Sequence, residues 1–162
     1  MIPERLSKII ENDPVVYKEQ IESSYKMAEL SLAGQVRGNG HPFLEHPLGV
    51  AYIVADEIGL MPDTIAAIFL HEATRGKNDL LHDFLKNSKT QYSPEVLTMT
   101  EGLNNISGIT PKDTKLQAEN YRKLIVTYSK DPRVTLIKLA DRLEIMRHLE
   151  IFPKSSIARK VT

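Results

Sequence analysis

The stretch that decides the fold is Lys-Leu-Ala-Asp-Arg-Leu, residues 138–143, which lies in a strongly helical part of the chain. Asp141 falls one turn after Ile137 on the apolar side of this helix, so its carboxylate is predicted to face the core. A buried carboxylate requires a partner, because an unpaired charge in the interior is energetically very unfavourable. The candidate partners lie upstream, with His46 at the start of one predicted helix and the pair His71-Glu72 at the end of another.

Helical spacing of apolar residues continues outward from this stretch, and no segment alternates with the period of two that is typical of a strand. One predicted helix carries Tyr17, Ile21, Tyr25, Ala28 and Leu32, and a later one carries Leu116, Tyr121, Leu124, Ile125 and Tyr128. Ser93-Pro94 and Asp131-Pro132 each predict an N-cap followed by proline in the first helical turn. Breaks are predicted at Gly34, Gly38, Gly40, Gly59, Gly76 and Gly108. We therefore expect an all-α, compact bundle of about seven or eight helices.

Length and composition limit the classes of protein that the chain can belong to. We expect one domain, residues 1–162, long enough to bury a core without covalent cross-links. The absence of cysteine excludes disulfides, zinc ribbons and thiol nucleophiles, and it suits the cytoplasm. The 21 basic and 21 acidic residues leave no net charge, so direct nucleic-acid binding is not expected. The longest apolar run, residues 65–70, is far too short for a bilayer, and no membrane contact is expected.

The last residues, 155–162, begin like a capped helix at Ser155-Ser156. They stop after roughly two turns without a glycine or another terminating residue. This pattern predicts an N-terminal fragment of a longer multidomain protein. The alternative is a natural terminus that frays, as chain ends commonly do.

Four polar side chains are predicted to converge: His46, His71, Glu72 and Asp141. His46 follows a glycine-rich loop and precedes a proline suited to the first turn of a helix. The pair His71-Glu72 ends the apolar run 65–70, which must be buried, so at least one of the two side chains is carried inward. Two imidazoles and two carboxylates on three helices can surround one cation, which is the ligand set of a metal-dependent phosphohydrolase.

Each of these residues taken alone has a simpler interpretation. A histidine beside an apolar helix is more often a hydrogen-bonded core or surface group than a ligand. Glu72 can be exposed to solvent, and Asp141 can pair with Lys138 or Arg142 on a solvated helix face. Only the combination favours a metal site.

Two longer segments resemble a known family. Gln-Ala-Glu-Asn-Tyr-Arg-Lys at 117–123 and Asp-Pro-Arg-Val-Thr-Leu-Ile-Lys-Leu-Ala-Asp-Arg at 131–142 are similar to the hydrolase domain of RelA/SpoT proteins. Those proteins make and destroy the alarmones (p)ppGpp. The resemblance extends through the glycine-rich loop with His46-Pro47 and through residues 62–71, 93–96 and 101–102, so it covers nearly the whole chain.

The resemblance implies an all-helical HD-type phosphohydrolase that uses manganese to remove pyrophosphate from the ribose 3′ position of (p)ppGpp. Carried over by position, the metal ligands would be His46, His71, Glu72 and Asp141. It also implies a downstream synthetase domain, which transfers pyrophosphate from ATP to GTP or GDP, and regulatory domains that sense the ribosome. These domains of the same chain are the expected partners, and the ribosome is expected only through them.

The chain departs from this family where the chemistry takes place. Glu72 stands where the family has aspartate, and Arg75 and Gly76 stand where an adjacent Glu-Asp pair positions or activates the attacking water. Loss of general acid–base carboxylates removes a factor of the order of 10²–10⁴ in rate. Catalytic residues are therefore not expected at Arg75 and Gly76, and the four metal positions are expected to be vestigial.

The nucleotide-binding positions differ from the family as well. Arg37 is retained and, with Asn39, is the nucleotide-binding candidate in the glycine-rich loop. The changed positions are Gly38, Asn39, Phe43, Ile145 and His148. Changes at metal, catalytic and nucleotide positions within a retained scaffold are typical of a fold that has lost its chemistry.

We therefore expect a degenerate, catalytically inactive hydrolase domain with no cofactor. It is expected to serve as a structural or regulatory module of an alarmone synthetase, which is a GTP pyrophosphokinase of the stringent response. One alternative is an active Mn²⁺-dependent (p)ppGpp 3′-pyrophosphohydrolase that tolerates Glu72 and recruits Glu144 or Asp79 as its acid. Another is an HD-type phosphohydrolase for a different nucleotide.

Arg75 is the residue predicted to replace the metal. It lies three residues after Glu72 on the same helical face, so its guanidinium can neutralise Glu72 or Asp141, with Asp141 the expected partner. The alternative is a surface arginine near the end of a helix.

Overall fold

Seven α-helices make up the part of the chain that the structure describes. The structure is a computed structural model that describes residues 2–75, 77–107 and 130–152, together with residues 119, 122, 123 and 126. The helices are α1 Glu4–Ile9, α2 Val15–Ser31, α3 Glu45–Tyr52, α4 Pro62–Thr74, α5 Asn78–Asn87, α6 Pro94–Ser107 and α7 Pro132–Met146. A π-helical segment, Ile53–Ile58, continues α3, and a 3₁₀ turn, Leu149–Ile151, follows α7.

The predicted all-α class is confirmed. Within the described residues the only β-type pairing is an isolated bridge between Val36 and Pro42 in the loop after α2. The apolar residues of the helix predicted around 116–128, the glycines Gly76 and Gly108, and residues 155–162 lie outside the described part of the chain.

Helix α4 occupies the centre of the bundle. It packs against α2, α3, α5, α6 and α7, and the apolar run 65–70 is buried throughout, as predicted. A helix that is apolar on all sides is stable only when neighbours cover every side. The predicted inner face of α2 contributes Ile21, Tyr25 and Ala28, and the Tyr25 ring meets Phe69 edge to face with 5.4 Å between ring centroids.

The observed helix starts agree with those predicted from the sequence, but one predicted N-cap is not formed. Asp131 accepts a hydrogen bond from the backbone N–H of Arg133, and α7 begins at Pro132. Helix α6 begins at Pro94 as predicted, but the Ser93 hydroxyl is buried and has no hydrogen-bond partner among the described residues. The predicted side-chain cap at Ser93 is therefore wrong, although the helix start that it marked is correct.

Among the helices that the structure describes, none combines the length and apolar character needed to cross a bilayer.

Candidate metal and ligand pocket

Three helices bring His46, Glu72 and Asp141 to one point. His46 lies in the first turn of α3, Glu72 near the end of α4, and Asp141 in the second half of α7. The Nε2 atom of His46 lies 2.6 Å from Asp141 Oδ1 and 3.8 Å from Glu72 Oε1. One potential ligand atom from each of the three lies within 4.8 Å of the other two. His71 completes the predicted set, with its Nε2 4.0 Å from Glu72 Oε1.

The electrostatics of this cluster follow from its burial. Burial lowers the pKa of His46, but hydrogen bonds to Asp141 and Glu144 and the nearby charge of Glu72 outweigh it and raise the pKa to about 9. Burial raises the pKa of Asp141, but the hydrogen bond to His46 outweighs it, and the pKa falls to about 2. Without a metal ion, His46 is therefore an imidazolium held between carboxylates.

Beneath His46 lies a buried carboxylate, Glu144, that joins the loop after α2 to α3 and α7. Arg37 donates to it twice, from Nη1 to Oε2 at 2.9 Å and from Nη2 to Oε1 at 2.7 Å, and both side chains are only 3% exposed. Glu144 also bonds Nδ1 of His46 at 2.5 Å and meets Nδ1 of His148 at 2.9 Å. These bonds fix the ring of His46 with Nε2 facing the cluster.

His71 is oriented in the same manner from the other side. Its Nδ1 lies 2.8 Å from Oδ1 of Asn104, a residue of α6 that is 1% exposed. Because an amide oxygen can only accept, Nδ1 of His71 donates this hydrogen bond, and Nε2 on the other side of the ring lies 4.0 Å from Glu72 Oε1. The amide of Asn104 in turn donates to Thr74 at 3.0 Å and to Asn78 at 3.1 Å, which fixes its own orientation.

Sequence reasoning missed these orienting roles. From the sequence, Glu144 is a candidate only for a recruited acid, although it follows Asp141 by three residues and so shares its helix face. Asn104 is not among the predicted site residues, although it follows the buried Thr100 by one turn. In both cases the available signal was a polar residue in helical register with buried neighbours.

Arg75 lies at the mouth of the cluster, just after α4. It has the left-handed backbone conformation, with φ 35°, which no other non-glycine residue in the described part of the chain shares. Its Nη2 lies 3.2 Å from Glu72 Oε2, and its guanidinium carbon lies 4.6 Å above the centre of the Phe43 ring. The predicted neutralisation of Glu72 by Arg75 is therefore confirmed.

The expected pairing of Asp141 with Arg75 is wrong. Asp141 is hydrogen-bonded to His46, and its second carboxylate oxygen lies 3.5 Å from Nζ of Lys138, one turn earlier on α7. The pairing with Lys138 was the simpler alternative, but it occurs beside a buried cluster rather than on a solvated face. Lys138 and Asp141 lie three residues apart on α7, so Lys138 reaches the carboxylate along its own helix.

The cluster forms the floor of a cavity of about 600 Å³. Its lining residues are Val36, Arg37, Gly38, Phe43, His46, His71, Glu72, Arg75, Ser107, Lys138, Asp141, Ile145, Ile151 and Phe152. Of the two nucleotide-binding candidates, Arg37 lines the cavity. Asn39 does not line it, and its Oδ1 accepts from the backbone N–H of His41.

One wall of the cavity depends on a close backbone approach. A Cβ atom on Gly38 would lie 1.8 Å from the carbonyl oxygen of Ile151, so only glycine lets the loop reach the 3₁₀ turn after α7. This contact joins the loop after α2 to Ile151 and Phe152, which line the same cavity.

Comparison with known proteins gives concordant matches. A family model described as an HD domain matches residues 24–162. The guanosine-3′,5′-bis(diphosphate) 3′-pyrophosphohydrolase of Aquifex aeolicus is 36% identical over 151 residues, which cover 93% of this chain and 20% of that protein. A GTP pyrophosphokinase of Streptomyces coelicolor is 35% identical over 152 residues, which cover 92% of this chain and 17% of that protein. The chain thus spans about a fifth of the length of these relatives.

Proposed function

Since the chain belongs to the HD-domain family and its relatives are RelA/SpoT proteins, we propose that it is a degenerate (p)ppGpp hydrolase domain without hydrolytic activity. In this proposal it acts as a structural or regulatory module of a longer cytoplasmic alarmone synthetase. Its partners would be the synthetase and regulatory domains of that protein, and through them the ribosome.

The observation that carries the proposal is the set of acids around the cavity. Among the described residues that line it, the carboxylates are Glu72 and Asp141, and both belong to the candidate metal cluster. The position where the RelA/SpoT resemblance implies an acid for the attacking water holds Arg75. A guanidinium cannot act as a general base, since its pKa stays far above neutral pH.

The two acids considered as substitutes do not fit this role. Glu144 is held beneath His46 by Arg37 and does not line the cavity. Asp79 is exposed on α5 and does not line it either. Recruitment of either acid would require a rearrangement of buried ion pairs or of a helix.

His46, Glu72 and Asp141 fit a divalent cation in type and spacing, and His71 would be a fourth ligand. His46, His71, Glu72 and Asp141 would hold it, and the orienting bonds to Glu144 and Asn104 are those that metal-binding imidazoles usually make. A bound metal would lower the pKa of a coordinated water and polarise the phosphorus under attack. Arg75 and Lys138, however, already balance the charges of the two carboxylates, which weakens their attraction for a metal ion. We therefore propose that these metal positions are vestigial.

The nucleotide contacts remain part of the proposal. Arg37 would need to release Glu144 to reach a ligand, because its side chain is only 3% exposed and its guanidinium is held on both oxygens of that carboxylate. Ile145 lines the cavity where the resemblance implies a nucleotide-contacting asparagine. Both features favour weaker nucleotide binding at these positions. Asn39, the second candidate in the loop, would have to move to reach a ligand in the cavity, because it does not line it.

The alternative function, an active Mn²⁺-dependent (p)ppGpp 3′-pyrophosphohydrolase, is favoured by one observation. Both imidazoles are held by outer hydrogen bonds with Nε2 facing Glu72, which is the arrangement that a functional metal site requires.

One experiment separates the two functions. The purified chain is incubated with ppGpp and Mn²⁺, and its metal content is measured after isolation. The proposal expects no turnover and substoichiometric metal, whereas turnover by the unmodified chain overturns it in favour of the alternative.

A restored variant tests the cause of inactivity. The variant Glu72→Asp/Arg75→Glu/Gly76→Asp is expected to gain hydrolysis, since it supplies the acids that the resemblance implies. Adding Asp141→Asn to it should abolish the gained activity. If the restored variant stays inactive, the missing acids do not account for the inactivity, and Ile145 and the glycine-rich loop become the candidates.

A further inference from the structure

We propose that Arg75 and Lys138 form an anion-binding site at the mouth of the cavity, which takes the phosphate or pyrophosphate group of a nucleotide without a metal ion. The inference rests on the proposed function, because a pocket that does not hydrolyse its ligand can still bind it as a signal. It assigns a ligand class and a mode of binding to Arg75, which stands where the resemblance implies a catalytic acid, and to Lys138, which lines the same cavity.

The first argument is the layering of charge. The acids lie beneath, with Glu72 7% and Asp141 19% exposed at their side chains, whereas Arg75 is 55% and Lys138 39% exposed. The two acids flank Nε2 of His46, and the two cations that pair with them line the same cavity. An approaching ligand therefore meets positive charge first, in a concave site where the field is concentrated.

The second argument is the number of donors that remain. Arg75 carries five N–H donors and reaches Glu72 with one nitrogen, and Lys138 carries three and reaches Asp141 at 3.5 Å. Neither contact uses the full donor capacity of its cation. A phosphate group offers several acceptor oxygens and can bind both cations while they keep their carboxylate partners.

The third argument is that the guanidinium of Arg75 is held in place. It lies 4.6 Å above the Phe43 ring, and an arginine stacked on an aromatic face keeps its in-plane N–H groups available for bidentate contacts. The backbone at Arg75 has φ 35°, an unfavourable conformation for a residue with a side chain. Such strain is often found at ligand-binding positions, and here it is found at the residue that faces the cavity.

The ligand class follows from the rest of the lining. Val36, Ile145, Ile151 and Phe152 give the same cavity an apolar wall. A volume of about 600 Å³ lies within the range of small-molecule sites. A ligand that fits this cavity has an anionic group, which binds the two cations, and an uncharged ring system, which packs on the apolar wall. A nucleotide has both parts, whereas a free phosphate ion has only the first.

The test is calorimetric titration of the 162-residue chain in EDTA with three probes: ppGpp, inorganic pyrophosphate and guanosine. We expect ppGpp to bind, pyrophosphate to bind more weakly, and guanosine alone to show the weakest binding. Arg75→Ala and Lys138→Ala should each weaken ppGpp binding about tenfold, as expected for the loss of one charge-assisted contact.

Arg142→Ala is the matched control. Arg142 lies on the same helix as Lys138, is exposed and does not line the cavity, so its loss changes net charge equally without touching the site. Arg75→Lys keeps the charge but loses the flat guanidinium, and it should weaken binding less than Arg75→Ala. Thermal unfolding of each variant establishes that it is folded before titration.

Three results would overturn the inference: no binding of ppGpp in EDTA, binding that neither Arg75→Ala nor Lys138→Ala weakens, or an equal loss with Arg142→Ala. None of them bears on the hydrolysis assay. Conversely, turnover of ppGpp with Mn²⁺ would overturn the proposed function and leave the binding in EDTA to be judged on its own.

Discussion

The two sides of the His46 imidazole differ in how their charges are held. Below the ring, Glu144 is 2% exposed and is bonded by Arg37 and by His46 itself. At the mouth, Arg75 and Lys138 each contact one carboxylate, and Arg75 is exposed whereas Lys138 is half-buried. Removal of one partner below the ring weakens the compensation of a buried charge, whereas a change at the mouth is screened by water. The mouth can therefore change its chemistry while the fold beneath it persists.

Two bidentate arginine–glutamate pairs provide the largest test of this difference. Arg37 pairs with Glu144 in the interior, and Arg147 pairs with Glu57 on the surface at 2.7 and 2.8 Å, with both side chains 47% exposed. Arg37→Ala should destabilise the domain by about 3–5 kcal/mol, because it removes the bidentate partner of a buried carboxylate. Arg147→Ala should change the free energy of unfolding little. Urea unfolding of both variants measures the difference, and equal losses would contradict the role assigned to burial.

The glycine-rich loop provides the next test. Gly38→Ala places a Cβ atom 1.8 Å from the Ile151 carbonyl oxygen, so the 3₁₀ turn must move, with an expected loss of about 1–3 kcal/mol. Amide chemical shifts of residues 149–152 should change in the same variant. Gly40→Ala is the comparison from the same loop: it has a positive φ but open space around it, so it should cost less and leave those shifts unchanged.

Strain at the mouth is measured by comparing two variants of Arg75. Arg75→Ala and Arg75→Gly both lose the guanidinium, but only glycine relieves the left-handed backbone at φ 35°. Arg75→Gly should therefore be more stable than Arg75→Ala by about 1 kcal/mol. The difference between their free energies of unfolding, measured by heat or urea, gives the contribution of the strained backbone at this position. Equal stabilities would show that the residue is not strained.

The smallest effect is expected at the start of α7. Hydrogen bonds from Arg133 lower the pKa of Asp131 below its ordinary value of 3.8, so its charge stabilises the fold above that value. This contribution is lost as the pH falls through the lower, folded pKa. Asp131→Ala should cost about 1 kcal/mol at neutral pH, and Asp131→Asn less, since asparagine also caps helices. Urea unfolding as a function of pH should show the difference between the Asp131→Asn variant and the unmodified chain disappear in acid.

The fold could be predicted from the sequence to a large extent, because its signals are local. The apolar spacing of α2, the buried run 65–70 and the helix starts at Pro94 and Pro132 all concern neighbouring residues. The convergence of His46, His71, Glu72 and Asp141 was also predictable, since each lies on an inward helix face and the RelA/SpoT resemblance places them together.

What the sequence alone determined was therefore which residues turn inward and which helices carry them. The partner of each charge was decided only by the tertiary structure: Asp141 meets His46 and Lys138 rather than Arg75, and Glu144 meets Arg37. The physical reason is that helical periodicity fixes the face of a residue relative to its own helix. The distance between Arg37 and Glu144, 107 residues apart along the chain, depends instead on how the loop after α2 and helices α3 and α7 pack against one another.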